Sequence, residues 1–456
     1  MVQAIKAEKP RALWRFSKKF QFAADRIIPD SFVFCVVLTF IVYALALVLT
    51  KAGPVKLIKF WYDGLWTQIA FAFQMTIMVT LTSAAAKSPL IERGLSRLAK
   101  LPKTPGAAYV FFIIIVTIAS WINWAFGTIL SPVLAMYLSK NVRKVHFPLL
   151  IAVGYACMVM IQPVCPSISS VALLATPGHF LADKIGVLPF TVTAFNPVGV
   201  AMVSVLFIVT LFVTLKTQPP ESEVIEFLGD MDPIDDGKSK KAEKPTPADR
   251  MNDSRILMWI IGLASVIYIV YHFVTKGADL NLNFIIFVFM VLDVFLYGTP
   301  LRFVQAIKKN IGHAAAILIQ FPFYGGIMGM MASSGLTLVL SNALLVISTK
   351  ETFYAISYLS ASIVNLFVPS QGGQWMVQGP VLVDAAQAVG AHIPTVVSAF
   401  MLGDEATNLI QPLYIIPALA LVDMKLKDAW GLMAFIWFIW FIVTMIGLVV
   451  FPMILL

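Results

Sequence analysis

Long runs of apolar residues alternate with short polar segments along most of the chain. About 20 apolar residues cross a bilayer as a helix, whereas a membrane β-barrel would give short alternating segments. We therefore predict an all-α polytopic membrane protein. The predicted spans are 31–50, 65–85, 148–174, 191–215, 256–273, 282–297, 311–332, 394–421 and 430–456.

Two further stretches are apolar but interrupted in the middle. Residues 106–140 hold two apolar arms around WINWAFGT. Each arm would reach only about 17–23 Å as a helix, short of a hydrocarbon core of about 30 Å. Basic residues lie at both ends of the stretch. We predict a re-entrant hairpin entering from the cytoplasm, and a second at 353–390 entering from the opposite side.

The two halves of the chain resemble each other at a nearly constant spacing. Gln74 and Gln320, for example, are 246 positions apart. Several such matches in one order indicate a duplicated unit, with residues 1–215 as the first repeat and 274–456 as the second. The extra helix at 256–273 would invert the second copy. Inverted repeats with broken helices are typical of secondary transporters, whose sites lie near the membrane midplane.

Composition and charge agree with this organisation. Hydrophobic residues make up 59% of the chain, charged residues 12%, and the mean hydropathy is +0.86, which excludes an ordinary soluble domain. The net charge of +9 could suggest nucleic acid, but 27 of the 33 lysines and arginines lie in segments predicted to face the cytoplasm. This bias orients a membrane protein, with a cytoplasmic N-terminus and a periplasmic C-terminus here. We expect no nucleic acid partner.

Two other features are structural in our interpretation. Residues 216–255 are polar and contain prolines and both signs of charge, which predicts a cytoplasmic linker that is poorly ordered in part. The cysteines all lie in apolar runs, so we expect packed thiols and no disulfide framework for Cys35, Cys157 and Cys165.

The tip of the second hairpin, VPSQGGQWMVQGPV, is unusually polar for its surroundings. Pro369 removes a backbone donor, and the glycine pair permits unusual backbone angles. Irregular backbone survives at membrane depth only inside protein or beside a water-filled cavity, where its N–H groups can bind an anion and its carbonyls a cation. The alternative is a loop outside the membrane. The candidate binding residues of this hairpin are Asn365, Ser370, Gln371, Gly372, Gly373, Gln374, Trp375 and Gln378.

The tip of the first hairpin is more aromatic. Asn123 could cap a broken helix or coordinate an ion, and Trp124, like Trp375, could wall an apolar pocket. The alternative for the tryptophans is anchoring at the membrane interface, their commonest role in membrane proteins. Gly127 and Thr128 complete the candidate residues of this tip.

The predicted spans 148–174 and 394–421 contain prolines and clustered polar residues, which favour unwound segments over simple kinks, so we term them the two broken spans. Asp404 and Glu405 give the strongest signal, because acids inside a membrane are costly and usually functional. Adjacent helical positions point about 100° apart, so we expect one of the two to face the site. The alternative is that both lie near the membrane surface. The other candidates are Gln162, Ser167, Ser169, Ser170, Thr407, Asn408 and Gln411, with Asp293 and Asp384 as further buried acids of lower weight.

The predicted core segments contain no arginine. A multiply charged substrate would need strong fixed positive charge, whereas helix dipoles, amides and a cotransported cation can suffice for one carboxylate with a small apolar tail.

Several motifs, in the same order over nearly the whole length, resemble the bacterial short-chain fatty acid transporter family of the acetoacetate/butyrate permease type. They are FWYDGLW, SWINWAFG, HFPLLIA, LLATPG, DSRIL, LIQFPFYGGI, VPSQGGQW with QGP, and QPLYIIPALA. The resemblance implies an inner-membrane permease for short monocarboxylates. Through the wider ion transporter superfamily it also implies an elevator mechanism, in which hairpins and broken helices move against a dimeric scaffold.

The chain departs from the family pattern at two points of the expected site. The family carries Gly-Gly-Gly-His-Trp where this chain has Gln371-Gly-Gly-Gln374-Trp375, and Gly-Glu-Gln where it has Gly403-Asp404-Glu405. These differences bear on the substrate and the coupling ion more than on the fold.

The leading hypothesis is a cation-coupled symporter of short-chain fatty acids, with the hairpin tips binding the carboxylate and the ion. Asp404 or Glu405 would carry a proton or bind Na⁺, and no other cofactor is expected. A cation/proton antiporter is the alternative within transport. A membrane-embedded enzyme is disfavoured because the sequence contains neither HExxH nor GxSxG.

Overall fold

The structure is a computed structural model that describes residues 11–27, 29–122, 124–165, 168–175, 179, 181–227, 229, 246–277, 282–369 and 371–456. Within these ranges the chain forms α-helices and short 3-10 turns and no β-strand. The prediction of an all-α protein is therefore confirmed.

The helices of the first half are separated by short turns, and a 3-10 turn at Gln162–Val164 follows the eighth. They are α1 (Ala12–Ile27), α2 (Ser31–Leu49), α3 (Pro54–Leu65), α4 (Ile69–Ala86), α5 (Pro89–Leu98), α6 (Pro105–Ile122), α7 (Trp124–Asn141), α8 (Phe147–Ile161), α9 (Ser169–Leu174), α10 (Ala182–Ile185), α11 (Phe190–Thr193) and α12 (Pro197–Lys216).

The second half continues with eleven more described helices, and 3-10 turns lie at Glu221–Glu223 and Ile311–Ala314. They are α13 (Pro247–Asn252), α14 (Arg255–Lys276), α15 (Leu282–Tyr297), α16 (Pro300–Asn310), α17 (Ala315–Ser333), α18 (Leu336–Leu345), α19 (Phe353–Asn365), α20 (Gln371–Val389), α21 (Ile393–Asn408), α22 (Ile416–Leu421) and α23 (Leu426–Leu455).

Six helical stretches in the described part of the chain are long and apolar enough to cross a membrane. They are Phe32–Leu49, Pro105–Ile122, Phe147–Val164, Pro197–Lys216, Pro247–Lys276 and Leu426–Leu455. The stretch Pro105–Ile122 corrects our argument that the first arm of the first hairpin is too short to span a membrane. The aromatic tip residues continue α6 to 18 residues, so this arm is not too short to span.

Two helices lie at the centre of the protein. Every residue of α8 from Phe147 to Met160 is buried, and so is every residue of α21 from Thr395 to Asn408. This position is expected for α8, which is apolar all round, whereas α21 also buries polar residues near its C-terminal end. Of the six candidate spans, Pro247–Lys276 is the least buried, and only three residues of α14 within it are buried. The three cysteines are buried, as expected for packed thiols.

The central helices begin in the same way. His146 precedes α8 and His392 precedes α21, and each helix has a proline in its first turn, where the missing N–H costs nothing. The backbone N–H of His146 donates to the hydroxyl of Tyr109 at 2.9 Å. The N–H of His392 donates to the hydroxyl of Tyr354, also at 2.9 Å. The same contact thus occurs once in each half of the chain.

The first part of the linker packs against helix ends. Ile225 donates its N–H to Nδ1 of the buried His146 at 3.0 Å and accepts from the N–H of Phe147 at 2.7 Å. Glu223 accepts the indole N–H of Trp14 at 2.7 Å and pairs with Lys18 at the same distance. Residues 221–227 are therefore held in place, and the linker residues 228 and 230–245 lie outside the described ranges.

Glycines allow α3 and α17 to cross closely. A Cβ on Gly329 would lie 2.6 Å from the Phe60 carbonyl oxygen and 2.8 Å from the Gly64 Cα. A Cβ on Gly325 would lie 2.6 Å from the Gly64 carbonyl oxygen. Small residues on both sides let helix backbones approach, as in many membrane proteins.

Candidate functional site

The polar side chains of the second half gather where α19, α20 and α21 meet. α19 ends at Asn365 and α20 begins at Gln371. α19 lies close along α21 because Gly403 has no side chain, and a Cβ there would be 2.8 Å from the Cβ of Ala361. Ser362 donates its hydroxyl to the Gly403 carbonyl at 3.0 Å. This crossing brings the hairpin next to the acidic pair.

Gln371 joins three elements. Its side-chain oxygen accepts the hydroxyl of Ser170 at 2.6 Å, and its amide nitrogen donates to Oε1 of Glu405 at 3.4 Å. Ser170 lies in α9, after the break in the first broken span, and Glu405 lies in α21. All three side chains are buried. One candidate from each of three separate predicted segments therefore takes part in the same hydrogen-bonded group.

Both acids lie inside the protein rather than at its surface. The amide of Asn408 donates to Oδ2 of Asp404 at 3.3 Å and to Oε2 of Glu405 at 3.1 Å. Glu405 is the acid that contacts Gln371. Oδ1 of Asp404 has no hydrogen-bond partner among the described residues. A buried carboxylate in its charged form costs several kcal/mol unless it is paired, so the pair calls for a proton or a cation.

Asn365 ties the end of α19 to α21. Its amide nitrogen lies 2.5 Å from the backbone oxygen of Asp404, 3.1 Å from the Thr407 hydroxyl and 2.8 Å from Oδ1 of Asn408. Thr407 in turn donates to the backbone oxygen of Ser362 at 2.9 Å. The side-chain oxygen of Asn365 is buried and, within the described ranges, accepts no hydrogen bond.

Gln374 and Gln378 hold α20 against α19. Gln374 donates to a backbone oxygen of α19 and to Oε1 of Gln378, both at 2.9 Å, and Gln378 donates to the hydroxyl of Ser360 at 2.8 Å. Sequence reasoning missed Ser360, although it is a polar residue within an apolar helix. Trp375 is fully buried, with its ring centre 4.8 Å from that of Phe400, which does not fit interfacial anchoring.

The glycine pair of the second hairpin does not form the backbone break that we predicted. Gly372 and Gly373 lie in the first turn of α20 and have helical backbone, and the break comes before Gln371. The first N–H groups of a helix have no intrahelical partner in any case, so glycines are tolerated there and leave these groups accessible.

The tips of the two hairpins meet through Tyr414. Its hydroxyl donates to the backbone oxygen of Pro369 at 2.6 Å, and its ring centre lies 5.6 Å from that of Trp124. Trp121 also anchors the first tip by donating its indole N–H to the backbone oxygen of Val164 at 3.0 Å. Sequence reasoning missed Tyr414, although a tyrosine hydroxyl within a broken span needs a polar partner.

Four other candidates take part in contacts outside this hydrogen-bonded group, and one of them, Gln411, also contacts Tyr324 of α17. Gly127 allows α7 to approach α6, because a Cβ there would lie 2.7 Å from the Cα of Ser120. Thr128 donates to the backbone oxygen one turn earlier at 2.9 Å, and Gln162 contacts a methionine sulfur one turn earlier at 3.0 Å. Gln411 accepts a backbone N–H two residues further on at 2.7 Å.

The remaining candidates have different outcomes. Asn123, Ser167 and Ser370 lie outside the described residues, and Ser169 is the first residue of α9. The prediction that Asp384 is buried is wrong. Its side chain is 58% exposed and pairs with Lys184 at 2.5 Å, because the buried face of α20 is formed by the neighbouring Leu382, Val383 and Ala386. Asp293 is buried, as predicted.

The residues that share hydrogen bonds at this centre form what we term the central polar cluster. Its members are Ser170, Asn365, Gln371, Asp404, Glu405, Thr407 and Asn408. Among the described residues no group of three or more His, Cys, Asp or Glu could hold a metal ion. Buried amides beside two acids, enclosed by apolar helices, are typical of a membrane transporter.

Comparisons with known proteins agree with this class. The model of the family described as short chain fatty acid transporter matches residues 12–451. A "Putative short-chain fatty acid transporter" of Escherichia coli K12 is 31% identical over 96% of this chain and 99% of its own length. A protein of the same description from Haemophilus influenzae is 31% identical over 91% and 95%. The chain therefore belongs to the short-chain fatty acid transporter family.

The solved structure of the YdaH transporter from Alcanivorax borkumensis is also similar. It aligns with 93% of this chain and 97% of its own, at 15% identity and a TM-score of 0.46. A TM-score below 0.5 is too low to assign a shared fold, and the family assignment rests on the sequence relatives.

Proposed function

We propose that this protein moves short-chain monocarboxylates, such as butyrate or acetoacetate, across the bacterial inner membrane together with H⁺ or Na⁺. The observation that carries the proposal is the link from Ser170 through Gln371 to Glu405. It connects an amide that can bind a carboxylate with an acid that can bind a cation. The two relatives described above carry the same substrate class in their names.

The carboxylate would bind at the start of α20. The first N–H groups of this 19-residue helix lack intrahelical partners, and the helix dipole favours negative charge there. The amide of Gln371 and the hydroxyl of Ser170 supply further donors beside the same end. The central polar cluster contains no arginine or lysine, which favours a single carboxylate over a multiply charged anion.

The coupling ion would bind at the acids. Glu405 contacts Gln371, so a proton or Na⁺ on this acid is placed to influence the carboxylate subsite. Two side-chain oxygens of the central polar cluster are buried and have no hydrogen-bond partner among the described residues. These are Oδ1 of Asp404 and Oδ1 of Asn365, and both are suitable ligands for a cation. Neutralising the acids before an anion enters would also remove a repulsion between like charges.

We also propose that two inverted repeats with re-entrant hairpins carry out transport by an elevator movement, in a homodimer within the lipid bilayer. The tyrosine contacts before α8 and α21 support the duplication. Tyr109 lies two helices before the helix that His146 precedes, and Tyr354 lies two helices before the helix that His392 precedes. The meeting of both tips at Tyr414 supports hairpins that move together. In this proposal the N-terminus is cytoplasmic and the C-terminus periplasmic, as the charge bias predicts.

The experiment that tests the function is uptake of radiolabelled butyrate into proteoliposomes. Proton and sodium gradients are imposed separately, and liposomes without protein serve as the control. Accumulation above equilibrium with one gradient would support symport and identify the ion. Exchange of H⁺ for Na⁺ without any organic acid, and no butyrate uptake under either gradient, would contradict the proposal and favour the antiporter.

A further inference from the structure

Asp293 lies outside the central polar cluster and has no role in the proposed transport site. It is the only charged residue of α15, whose sequence is LNFIIFVFMVLDVFLY. Its side chain is 0% exposed, and neither carboxylate oxygen has a hydrogen-bond partner among the described residues. The ion pairs of the described chain do not include it.

The neighbours of Asp293 on α15 show which way it faces. One turn earlier, the ring of Phe289 lies 5.7 Å from that of Phe126 near the tip of the first hairpin. One turn later, Tyr297 donates its hydroxyl to the backbone oxygen of Ala84 in α4 at 2.7 Å. Residues four apart share a helix face, so Asp293 lies between these contacts, toward α4.

The described hydroxyl groups of α4 all donate to acceptors other than Asp293. Thr80 and Thr82 donate to backbone oxygens within their own helix, and Ser83 donates to Asn310. The interface is otherwise apolar, with Met78 and Leu81 packed against residues of α15. α4 carries no charged or titratable residue. The charged and titratable residues on the other helices that contact α15 belong to α14, α16 and α7. They are Arg255, Tyr268, Tyr271, His272 and Lys276 of α14, Arg302, Lys308 and Lys309 of α16, and Tyr137 and Lys140 of α7.

Physical chemistry disfavours a charged carboxylate at this place in two ways. Burial removes its hydration, and no described group replaces it. Asp293 is also four residues, or about 6 Å, from the C-terminal end of α15, where the helix dipole is negative. A metal ion would need several oxygen ligands, which this apolar interface lacks, whereas a proton needs only one. We propose that Asp293 is a proton-binding site separate from the central polar cluster, at the joint between α15, α4 and the first hairpin.

Infrared spectroscopy of the purified full-length protein tests the proposal. The difference between the wild-type protein and Asp293→Asn at neutral pH should contain the carbonyl band of one protonated carboxyl group, shifted in heavy water. Asp384→Asn serves as the matched control, because Asp384 is exposed and paired with Lys184, and its difference spectrum should show the bands of a charged carboxylate. Carboxylate bands in the Asp293→Asn difference would overturn the proposal.

A second measurement uses the wild-type protein and so does not depend on the folding of a variant. Dicyclohexylcarbodiimide is an apolar reagent that adds to protonated carboxyl groups in apolar surroundings. We expect mass spectrometry to find the adduct on Asp293 and not on Asp384, with labelling that falls as the pH is raised. Labelling of Asp293 that rises with pH would contradict a bound proton.

Discussion

Ser170 and Glu405 bind the two ends of the same side-chain amide, that of Gln371. They are 235 positions apart in the chain and belong to the two broken spans, so the amide holds both spans at one point. A substrate carboxylate that accepts from the amide nitrogen of Gln371 must compete with Glu405, which accepts from the same nitrogen. In the proposed site, substrate binding would thereby depend on the protonation or cation binding of Glu405.

A double-mutant cycle of Ser170→Ala and Gln371→Ala measures this link. Each single change should weaken the apparent affinity for butyrate about fivefold, because one net hydrogen bond contributes about 1 kcal/mol. The double variant should be little worse than Gln371→Ala, since the two side chains form one interaction. The measurement is the substrate dependence of uptake into proteoliposomes.

The matched control for this cycle is Ser204→Ala. Ser204 donates its hydroxyl within its own helix, at 2.8 Å, is exposed, and is not a member of the central polar cluster. Combined with Gln371→Ala it should give additive effects. Additivity of Ser170→Ala with Gln371→Ala would show that the two residues act independently.

Neutralising the two acids separately should distinguish their roles. Glu405→Gln should lower gradient-driven accumulation about tenfold or more, because it removes the charge next to Gln371. Asp404→Asn should have the smaller effect on substrate affinity, since Asp404 contacts Asn408 rather than Gln371. Uptake is measured at several pH values and sodium concentrations. Equal pH and sodium dependence in Glu405→Gln and the wild type would exclude Glu405 as the coupling group.

The positions of most helices could be predicted because a membrane selects long apolar runs. The span predicted at 282–297 coincides with α15 at both ends. The end of α6 could not be predicted in this way, because Trp121 and Ile122 extend the helix although the tip pattern suggested a break. Whether a polar or aromatic residue ends a helix depends on its tertiary contacts, here the bond from Trp121 to Val164.

The sequence predicted which residues belong to the candidate site, but not which of them contact each other. Polar residues in apolar segments identified Ser170, Gln371, Glu405 and Asn408, since burying such groups is costly without a partner. The sequence could not pair them, because Ser170 and Gln371 are 201 positions apart and meet only through tertiary packing. The exposure of Asp384 was missed for the same reason, since helix periodicity does not show which face packs.

The close crossing of α3 and α17 should be sensitive to a single methyl group. Gly329→Ala would place a Cβ 2.6 Å from the Phe60 carbonyl oxygen, on a backbone that cannot move aside easily. Overpacking of this kind costs about 1–3 kcal/mol, more than alanine gains in helix propensity. Thermal unfolding in detergent should show a lower midpoint. The control is Gly53→Ala, where a Cβ meets nothing within 4 Å, and an equal loss in both variants would contradict the packing argument.

The folded protein should lose stability in acid through His146. The pKa of His146 is lowered to about 4, chiefly because of its burial and also because of the nearby Lys18, while Glu223 opposes the change. The unfolded chain titrates near pH 6.5, so between the two values it binds more protons than the folded chain. The contribution of His146 to the free energy of unfolding is fully present above about pH 6.5. It is lost as the pH is lowered toward 4, by about 3 kcal/mol in total. Protonation of Nδ1 would also abolish the bond from the Ile225 N–H.

Thermal unfolding of the wild type and of His146→Asn across this pH range checks that expectation. Asparagine is neutral throughout, so the variant should lose the part of the pH dependence that arises between about pH 4 and 6.5. His392→Asn is the matched control, because His392 precedes the equivalent central helix but is exposed. It should keep the wild-type pH dependence. If His146→Asn and the wild type destabilise in parallel as the pH falls, the contact between the linker and α8 is not the acid-sensitive element.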